Sequence, residues 1–279
     1  MPDHSRAAIL RRTATFANSG ALVQAFQRSC HSAFLAIRGN WRLLKLGIHL
    51  LAGIATVRFV FPLVSPVRRA RIRNRWALDM LHLLGIHVRP LAVVPAERAL
   101  IVCNHISWLD IFVINSQLDA HFVCKEEVRK WPLIGWLVAA TGTLFIARGN
   151  NAAAARTMHA LSDRLRRDER IVFFPEGTTT NGQTLLPFTT ALFEAANIGD
   201  AVVVPMCLRY YDTQGQQSLA PAYDGDITFM QCLRSVVRES RIEAELVTLE
   251  TLPAGMTRRD YAMRSRAQIA KALGYDQGN

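Results

Sequence analysis

A histidine and an aspartate five residues apart, His105 and Asp110, are the side chains whose types and spacing point most directly to chemistry. They follow the apolar run 99–103, which has the length and composition of a buried strand. Ligands of α/β sheets lie at the carboxyl ends of the strands, so a histidine there faces the substrate. An imidazole can take a proton from a hydroxyl at neutral pH, and a carboxylate can orient it through the other ring nitrogen. The pair therefore indicates general-base chemistry on a substrate hydroxyl.

The spacing alone also fits a structural interpretation, in which His105 is a capping residue and Asp110 is a surface acid on a helix. The end of a second predicted strand favours the catalytic interpretation over the structural one. The apolar run 171–174 stops at a proline, which cannot extend a central ladder. The polar residues that follow this run are Glu176, Gly177 and Thr178. Two strand ends that carry polar groups to the same sheet edge make a chance arrangement less plausible.

Two cations follow other apolar runs. Arg148 comes after the run 143–146, and its planar guanidinium can hold a phosphate or a carboxylate. Lys125 follows the run 121–124 and adds positive potential. The alternative for both is a solvated surface cation.

Four segments occur in an order that resembles the glycerolipid acyltransferase family, which includes 1-acyl-sn-glycerol-3-phosphate acyltransferases. The segments are 104–110, 142–148, 174–178 and 203–205. Their joint order is far more specific than any one of them. The resemblance covers about residues 99–210, and this range is the expected motif core of the catalytic domain.

The resemblance implies a role for each matched residue. His105 is the general base that deprotonates the acceptor hydroxyl, and Asp110 orients it. The hydroxyl then attacks the thioester of acyl-CoA or acyl-carrier protein, and neither a metal nor a redox cofactor is implied. Arg148 holds the anionic head group of a lysophospholipid, with 1-acyl-sn-glycerol-3-phosphate as the expected acceptor. The residues assigned to substrate binding are Asn104, Lys125, Arg148, Glu176, Gly177, Thr178 and Pro205.

One position departs from the family pattern. Many glycerophosphate-directed members carry arginine directly after Pro-Glu-Gly-Thr, where this chain has Thr179. A hydroxyl cannot replace a bidentate cation at a phosphate monoester. The segment therefore resembles members that acylate other lysolipids, including lyso-ornithine lipid, and this acceptor is the alternative.

The order of apolar runs predicts the fold class. Short strand-like runs alternate with helical stretches, which predicts an α/β fold with a mostly parallel central sheet flanked by helices. The predicted strands are 99–103, 121–124, 143–146, 171–174, 201–205, 226–231 and 242–246, and the predicted helices include 151–167 and 257–273. We expect an acyltransferase domain over 91–279 after an N-terminal helical, membrane-anchoring segment over 1–90.

The N-terminal segment combines apolar and basic residues. Its most apolar stretch, 43–64, is interrupted by charged residues and a proline, which favours a helix in one leaflet over a full span. The arginine-rich stretch 68–75 contributes to a net charge of +11 and indicates an anionic membrane surface as partner. With the resemblance, these features predict attachment to the cytoplasmic face of the inner membrane.

Other functional classes fit the sequence less well. The basic charge also suits a nucleic-acid-binding protein, but no motif of basic residues interleaved with stacking aromatics supports one. An α/β-hydrolase would need a Gly-x-Ser-x-Gly turn, which the sequence lacks. The five cysteines are widely spaced, so we expect free thiols in a reducing compartment.

Overall fold

The structure is a computed structural model that describes residues 37–131, 134–146 and 151–275. Its centre is a seven-stranded sheet with the strand order β1-β7-β6-β2-β5-β3-β4. The strands are β1 Ile86–Val88, β2 Ala99–Cys103, β3 His121–Lys125, β4 Leu144–Ile146, β5 Ile171–Phe173, β6 Val202–Tyr211 and β7 Ile242–Thr248. Six of these strands match or overlap runs that the sequence predicts.

Five neighbouring strands run parallel, and this arrangement brings the predicted motifs to one edge of the sheet. β2 lies between β5 and β6, with Ile101 opposite Val172 on one side and Val204 on the other. β7 alone is antiparallel to its neighbour β6, and β1 runs parallel to β7. The carboxyl ends of β2, β3, β4, β5 and β6 therefore meet at one edge of the sheet, as the sequence predicts.

Helices cover both faces of the sheet. They are α1, described over Ile37–Leu63, α2 Pro66–Leu84, α3 Asp110–Gln117, α4 Ile134–Ala140, α5 Asn151–Arg166, α6 Glu194–Gly199, α7 Phe229–Arg238 and α8 Arg258–Leu273. One buried cluster joins α2, α3 and α7 to alternate residues of β2 such as Ile101. A second cluster joins α5, α6 and α8 to the intervening residues, such as Leu100 and Val102. Both faces of β2 are buried, which confirms the predicted fold class.

Helix α1 is fastened to α2 by one reciprocal contact. The rings of His49 and Trp76 stack with centroids 4.8 Å apart. His49 Nε2 donates to the Trp76 carbonyl at 3.0 Å, and Trp76 Nε1 donates to the His49 carbonyl at 3.2 Å. A Cβ on Gly53 would lie 2.6 Å from Trp76 Nε1, so the close approach of the helices requires glycine there. This contact helps to hold α1 against the sheet-containing part of the chain, together with bonds from Arg42 to the carbonyls of Val237 and Glu239.

One predicted strand is wrong. Residues 226–231 form a turn followed by the first residues of α7. Thr228 is the N-cap of this helix, and its side chain accepts from the backbone N–H of Gln231. The Gln231 side chain in turn accepts from the Thr228 backbone, which completes a capping box. The capping residues Thr228 and Gln231 start a helix here, although the alternation of apolar residues had predicted a strand.

The described part of the predicted N-terminal segment, residues 37–90, contains a strand in addition to helices. β1 (Ile86–Val88) follows the left-handed Gly85 at the end of α2 and pairs with β7 at the sheet edge. Three residues give too short an apolar pattern to separate a strand from a helix end. The sheet thus draws on residues from both sides of position 90.

Candidate active site

His105 and Asp110 are in direct contact at the carboxyl edge of β2. The His105 Nδ1 and Asp110 Oδ2 atoms are 2.8 Å apart. The histidine side chain is 19% exposed, whereas the aspartate side chain is fully buried. One partner can therefore meet a substrate while the other is shielded from water.

The Asp110 carboxylate is surrounded by donors, and these determine which nitrogen of His105 carries hydrogen. Oδ2 also accepts from the backbone N–H groups of Ile106 at 2.7 Å and Ser107 at 2.9 Å. Oδ1 accepts from the hydroxyl of Tyr210 at 2.8 Å. With these donors directed at it, the carboxyl group acts as an acceptor towards His105 as well, so Nδ1 holds the proton. The Nε2 lone pair of His105 is then available to a substrate hydroxyl.

Asn104, the first residue of the loop between β2 and α3, holds this loop in place. This side chain is buried, and it donates to the Leu208 carbonyl at 3.0 Å and accepts from the Leu208 N–H at 2.8 Å. The amide therefore continues the pairing of β2 with β6 for one more residue. Asn104 positions His105 through the backbone, and a contact with the acceptor stays a prediction.

Glu176 bonds to backbone groups on two loops. Its Oε1 accepts from the His105 N–H at 2.8 Å, and its Oε2 accepts from the Leu186 N–H at 3.0 Å. Burial raises the pKa of this carboxyl, and the two N–H donors oppose that effect. The geometry gives Glu176 a positioning role, since it ties the histidine loop to the segment after β5.

Replacing Glu176 with glutamine is expected to destabilise the fold. The amide presents an NH₂ group to one of two backbone donors, so one buried N–H loses its acceptor, at a cost of about 1–3 kcal/mol. Chemical denaturation at pH 7 measures the free energy of unfolding. Glu250→Gln, at an exposed position after β7, is the control. A stability equal to that of the wild type would contradict the positioning role.

Two further contacts with His105 were not predicted from the sequence. Its ring stacks on Phe174 with centroids 3.9 Å apart and an interplanar angle of 8°. Its carbonyl accepts from the backbone N–H of Thr180 at 2.9 Å. Phe174 is the last residue of the predicted strand 171–174, and its position beside a polar segment was the available signal. These contacts restrict the plane of the imidazole.

The Gly177–Thr179 segment curves away from β5. Gly177 has a positive φ of 72°, a conformation that glycine adopts without strain. Thr178 is exposed, and the Thr179 hydroxyl donates to the Tyr223 carbonyl. Tyr223 N–H in turn donates to the Ile106 carbonyl at 3.0 Å, so the position that departs from the family pattern is linked to the catalytic loop.

Neither Lys125 nor Pro205 has a hydrogen bond to the pair in the described part of the chain. Lys125 is the exposed last residue of β3, at the same sheet edge. Pro205 is buried inside β6, opposite Val102, and belongs to the sheet interior. Arg148 lies outside the described residues.

The chain is similar to known acyltransferases. The Acyltransferase family model matches residues 85–209. The chain is 31% identical to a 1-acyl-sn-glycerol-3-phosphate acyltransferase of Neisseria gonorrhoeae over 66% of this chain and 72% of that protein. It is 33% identical to a lyso-ornithine lipid O-acyltransferase of Pseudomonas aeruginosa over 75% of this chain and 81% of that protein.

A solved structure has the same fold. The 1-acyl-sn-glycerophosphate acyltransferase PlsC from Thermotoga maritima superimposes with a TM-score of 0.62 at 16% identity, covering 89% of this chain and 98% of that one. The fold and the relatives together define an O-acyltransferase. The chain belongs to the acyltransferase family that includes the 1-acyl-sn-glycerol-3-phosphate acyltransferases.

Proposed function

We propose that His105 is the general base of acyl transfer to a lysolipid hydroxyl. The observation that supports this most strongly is the bond between its Nδ1 and buried Asp110, which directs the free Nε2 outward. Nε2 takes the hydroxyl proton as the oxygen attacks the thioester carbonyl of acyl-CoA or acyl-carrier protein. The new ester C–O bond forms, the C–S bond breaks, and the proton passes from His105 to the departing thiolate.

Asp110 stabilises the positive charge that His105 gains during this step. The carboxylate is fully buried, and its charge acts on the ring at 2.8 Å without intervening water. Electrostatic interactions are stronger in such a water-excluded site than in solvent. The imidazolium is thus stabilised at the moment when the acceptor oxygen attacks.

The first candidate acceptor is 1-acyl-sn-glycerol-3-phosphate. Relatives of that name are 31% identical to this chain, which supports the assignment. Arg148, at the end of the second family segment, would hold the phosphate through its guanidinium. The product would then be phosphatidic acid.

The second candidate acceptor is lyso-ornithine lipid, and Thr179 favours it. The Thr179 hydroxyl is bonded to the Tyr223 carbonyl, so this position offers no free donor to a phosphate. A relative named lyso-ornithine lipid O-acyltransferase from Rhodobacter capsulatus is 37% identical, over 62% of this chain and 65% of that protein. A head group without a phosphate monoester fits a threonine here better than a dianion does.

A substrate panel distinguishes the two acceptors. The full chain in detergent is given lysophosphatidic acid or lyso-ornithine lipid, with acyl-CoA or acyl-carrier protein, and the products are identified by mass. If phosphate is the natural head group, lysophosphatidic acid has the higher kcat/KM. If Thr179 selects against phosphate, lyso-ornithine lipid is preferred, and Thr179→Arg shifts the preference towards lysophosphatidic acid by about tenfold, as a new ion pair would. Transfer to neither lipid would reject the proposed acceptor class.

We also propose that α1 attaches the enzyme to the cytoplasmic face of the inner membrane. By length and composition α1 is able to cross a membrane, with a mean hydropathy of 1.7 over its most apolar window, 11% of which is buried. Five of its exposed apolar residues recur on one helical face: Ile37, Trp41, Leu44, Ile48 and Leu51. A one-sided apolar stripe on α1, together with the arginines Arg68, Arg71 and Arg75 along α2, supports a helix lying in one leaflet. Flotation with anionic vesicles measures this attachment, and a protein that stays with the soluble fraction would contradict it.

A further inference from the structure

The Tyr210 hydroxyl is buried beneath the proposed catalytic pair. Tyr210 belongs to β6, is 1% exposed, and lies 100 residues from Asp110 in the chain. Its hydroxyl and Asp110 Oδ1 are 2.8 Å apart. Within the described part of the chain, no second donor to this oxygen is found. The bond therefore restrains Oδ1, the oxygen of Asp110 that does not contact His105.

We infer that Tyr210 is a positioning residue that sets the charge and orientation of Asp110 and, through it, the basicity of His105. The inference rests on the proposed role of His105 as base. A hydrogen bond to an ionised carboxylate stabilises the charged form and orients it. The donors on Oδ2 restrain one oxygen of Asp110, and Tyr210 restrains the other, so the carboxylate cannot rotate away from the ring.

The state of Tyr210 suits this role. Burial, and then the nearby Asp110 charge, raise the pKa of its hydroxyl well above its usual value, so the group stays protonated at working pH. The other titratable groups beside the pair are Glu176, Cys103 and Cys232. Burial raises the pKa of both thiols, so they remain neutral. Tyr210 is thus a constant donor across the pH range in which His105 would act.

Removing the hydroxyl has a specific expected result. Tyr210→Phe leaves a buried oxygen of Asp110 without a donor, which disfavours its charged form. The pair then keeps a proton up to higher pH. The acid limb, meaning the fall of kcat/KM on the acidic side of its pH profile, therefore moves to higher pH by about one unit. We expect kcat to fall about tenfold to a hundredfold with KM for both substrates unchanged.

The chain offers a matched control on the same strand. The Tyr211 hydroxyl donates to Glu245 Oε2 at 3.2 Å, on the opposite face of β6 from the site. Tyr211→Phe therefore removes the same atom and also breaks a bond to a carboxylate. This variant should keep the wild-type kcat and pH profile.

The experiment compares full-chain variants in detergent and measures acyl transfer to a lysolipid. The pH is varied from about 5 to about 9, a range that includes the ordinary pKa of an imidazole. In an Asp110→Asn background, Tyr210→Phe should have no further effect on the acid limb, because the charge it acts on is gone. A fluorotyrosine placed at position 210 keeps the ring and is a stronger donor, so it should move the acid limb downward. This variant also tests the inference if Tyr210→Phe does not fold.

The outcomes separate this inference from the proposed function. An unchanged acid limb in Tyr210→Phe, or a fall in kcat that is fully additive with Asp110→Asn, would reduce Tyr210 to a packing residue. If His105→Ala is inactive and Tyr210→Phe keeps the wild-type kcat and pH profile, only the inferred role of Tyr210 is rejected. An active His105→Ala rejects the proposed base and the inference together.

Discussion

Replacing His105 with alanine is expected to lower kcat for acyl transfer by about a thousandfold, the usual contribution of a general base. The acceptor hydroxyl then has no group at hydrogen-bond distance to take its proton. The fold should survive, because Asp110 Oδ2 keeps the N–H donors of Ile106 and Ser107. Single-turnover transfer from acyl-CoA to the lysolipid, followed by mass spectrometry, measures the chemical step directly.

Two controls make the His105 result specific. His159→Ala removes an exposed imidazole from α5 and should leave the rate unchanged. Added imidazole should restore part of the rate in His105→Ala, since a free base can occupy the space of the missing ring. Transfer by His105→Ala at close to the wild-type rate would show that another group removes the proton.

The contact between His105 and Asp110 could be predicted because it is local. Only four residues separate His105 from Asp110, and a short turn into α3 brings both side chains to the end of β2. The strand itself was evident from five consecutive buried apolar residues. A local pair at the end of such a strand requires no knowledge of distant parts of the chain.

The supports of the pair could not be predicted in the same way. Tyr210 reaches Asp110 from a strand 100 residues later, and its alternation within β6 gives no sign of which face holds a carboxylate. A substrate contact of Glu176 stays a prediction, and its two bonds to backbone N–H groups were not foreseen. The N–H of Leu186 has no side-chain signature in the sequence. Long-range bonds to backbone atoms depend on how the loops pack, which a residue pattern does not record.

Exchanging Asp110 for asparagine is expected to lower kcat about a hundredfold, through loss of a charge-assisted bond to the imidazolium. The amide oxygen should occupy the Oδ2 position, because three donors converge there: the ring of His105 and the N–H groups of Ile106 and Ser107. The NH₂ group then faces the Tyr210 oxygen, which is able to accept. Nδ1 keeps its proton, so the variant loses the negative charge and retains the tautomer.

This geometry gives the Asp110→Asn variant a distinct pH signature. Without the carboxylate, protonation of the imidazole is less favourable, so the acid limb of kcat/KM should move to lower pH, opposite to the shift expected for Tyr210→Phe. Asp163→Asn, on the exposed side of α5, is the control and should leave the profile unchanged. Asp110→Ala should be both slower and less stable, because it leaves two buried backbone donors without an acceptor. An Asp110→Asn enzyme with the wild-type rate and an unmoved acid limb would mean that the carboxylate charge has no part in the reaction.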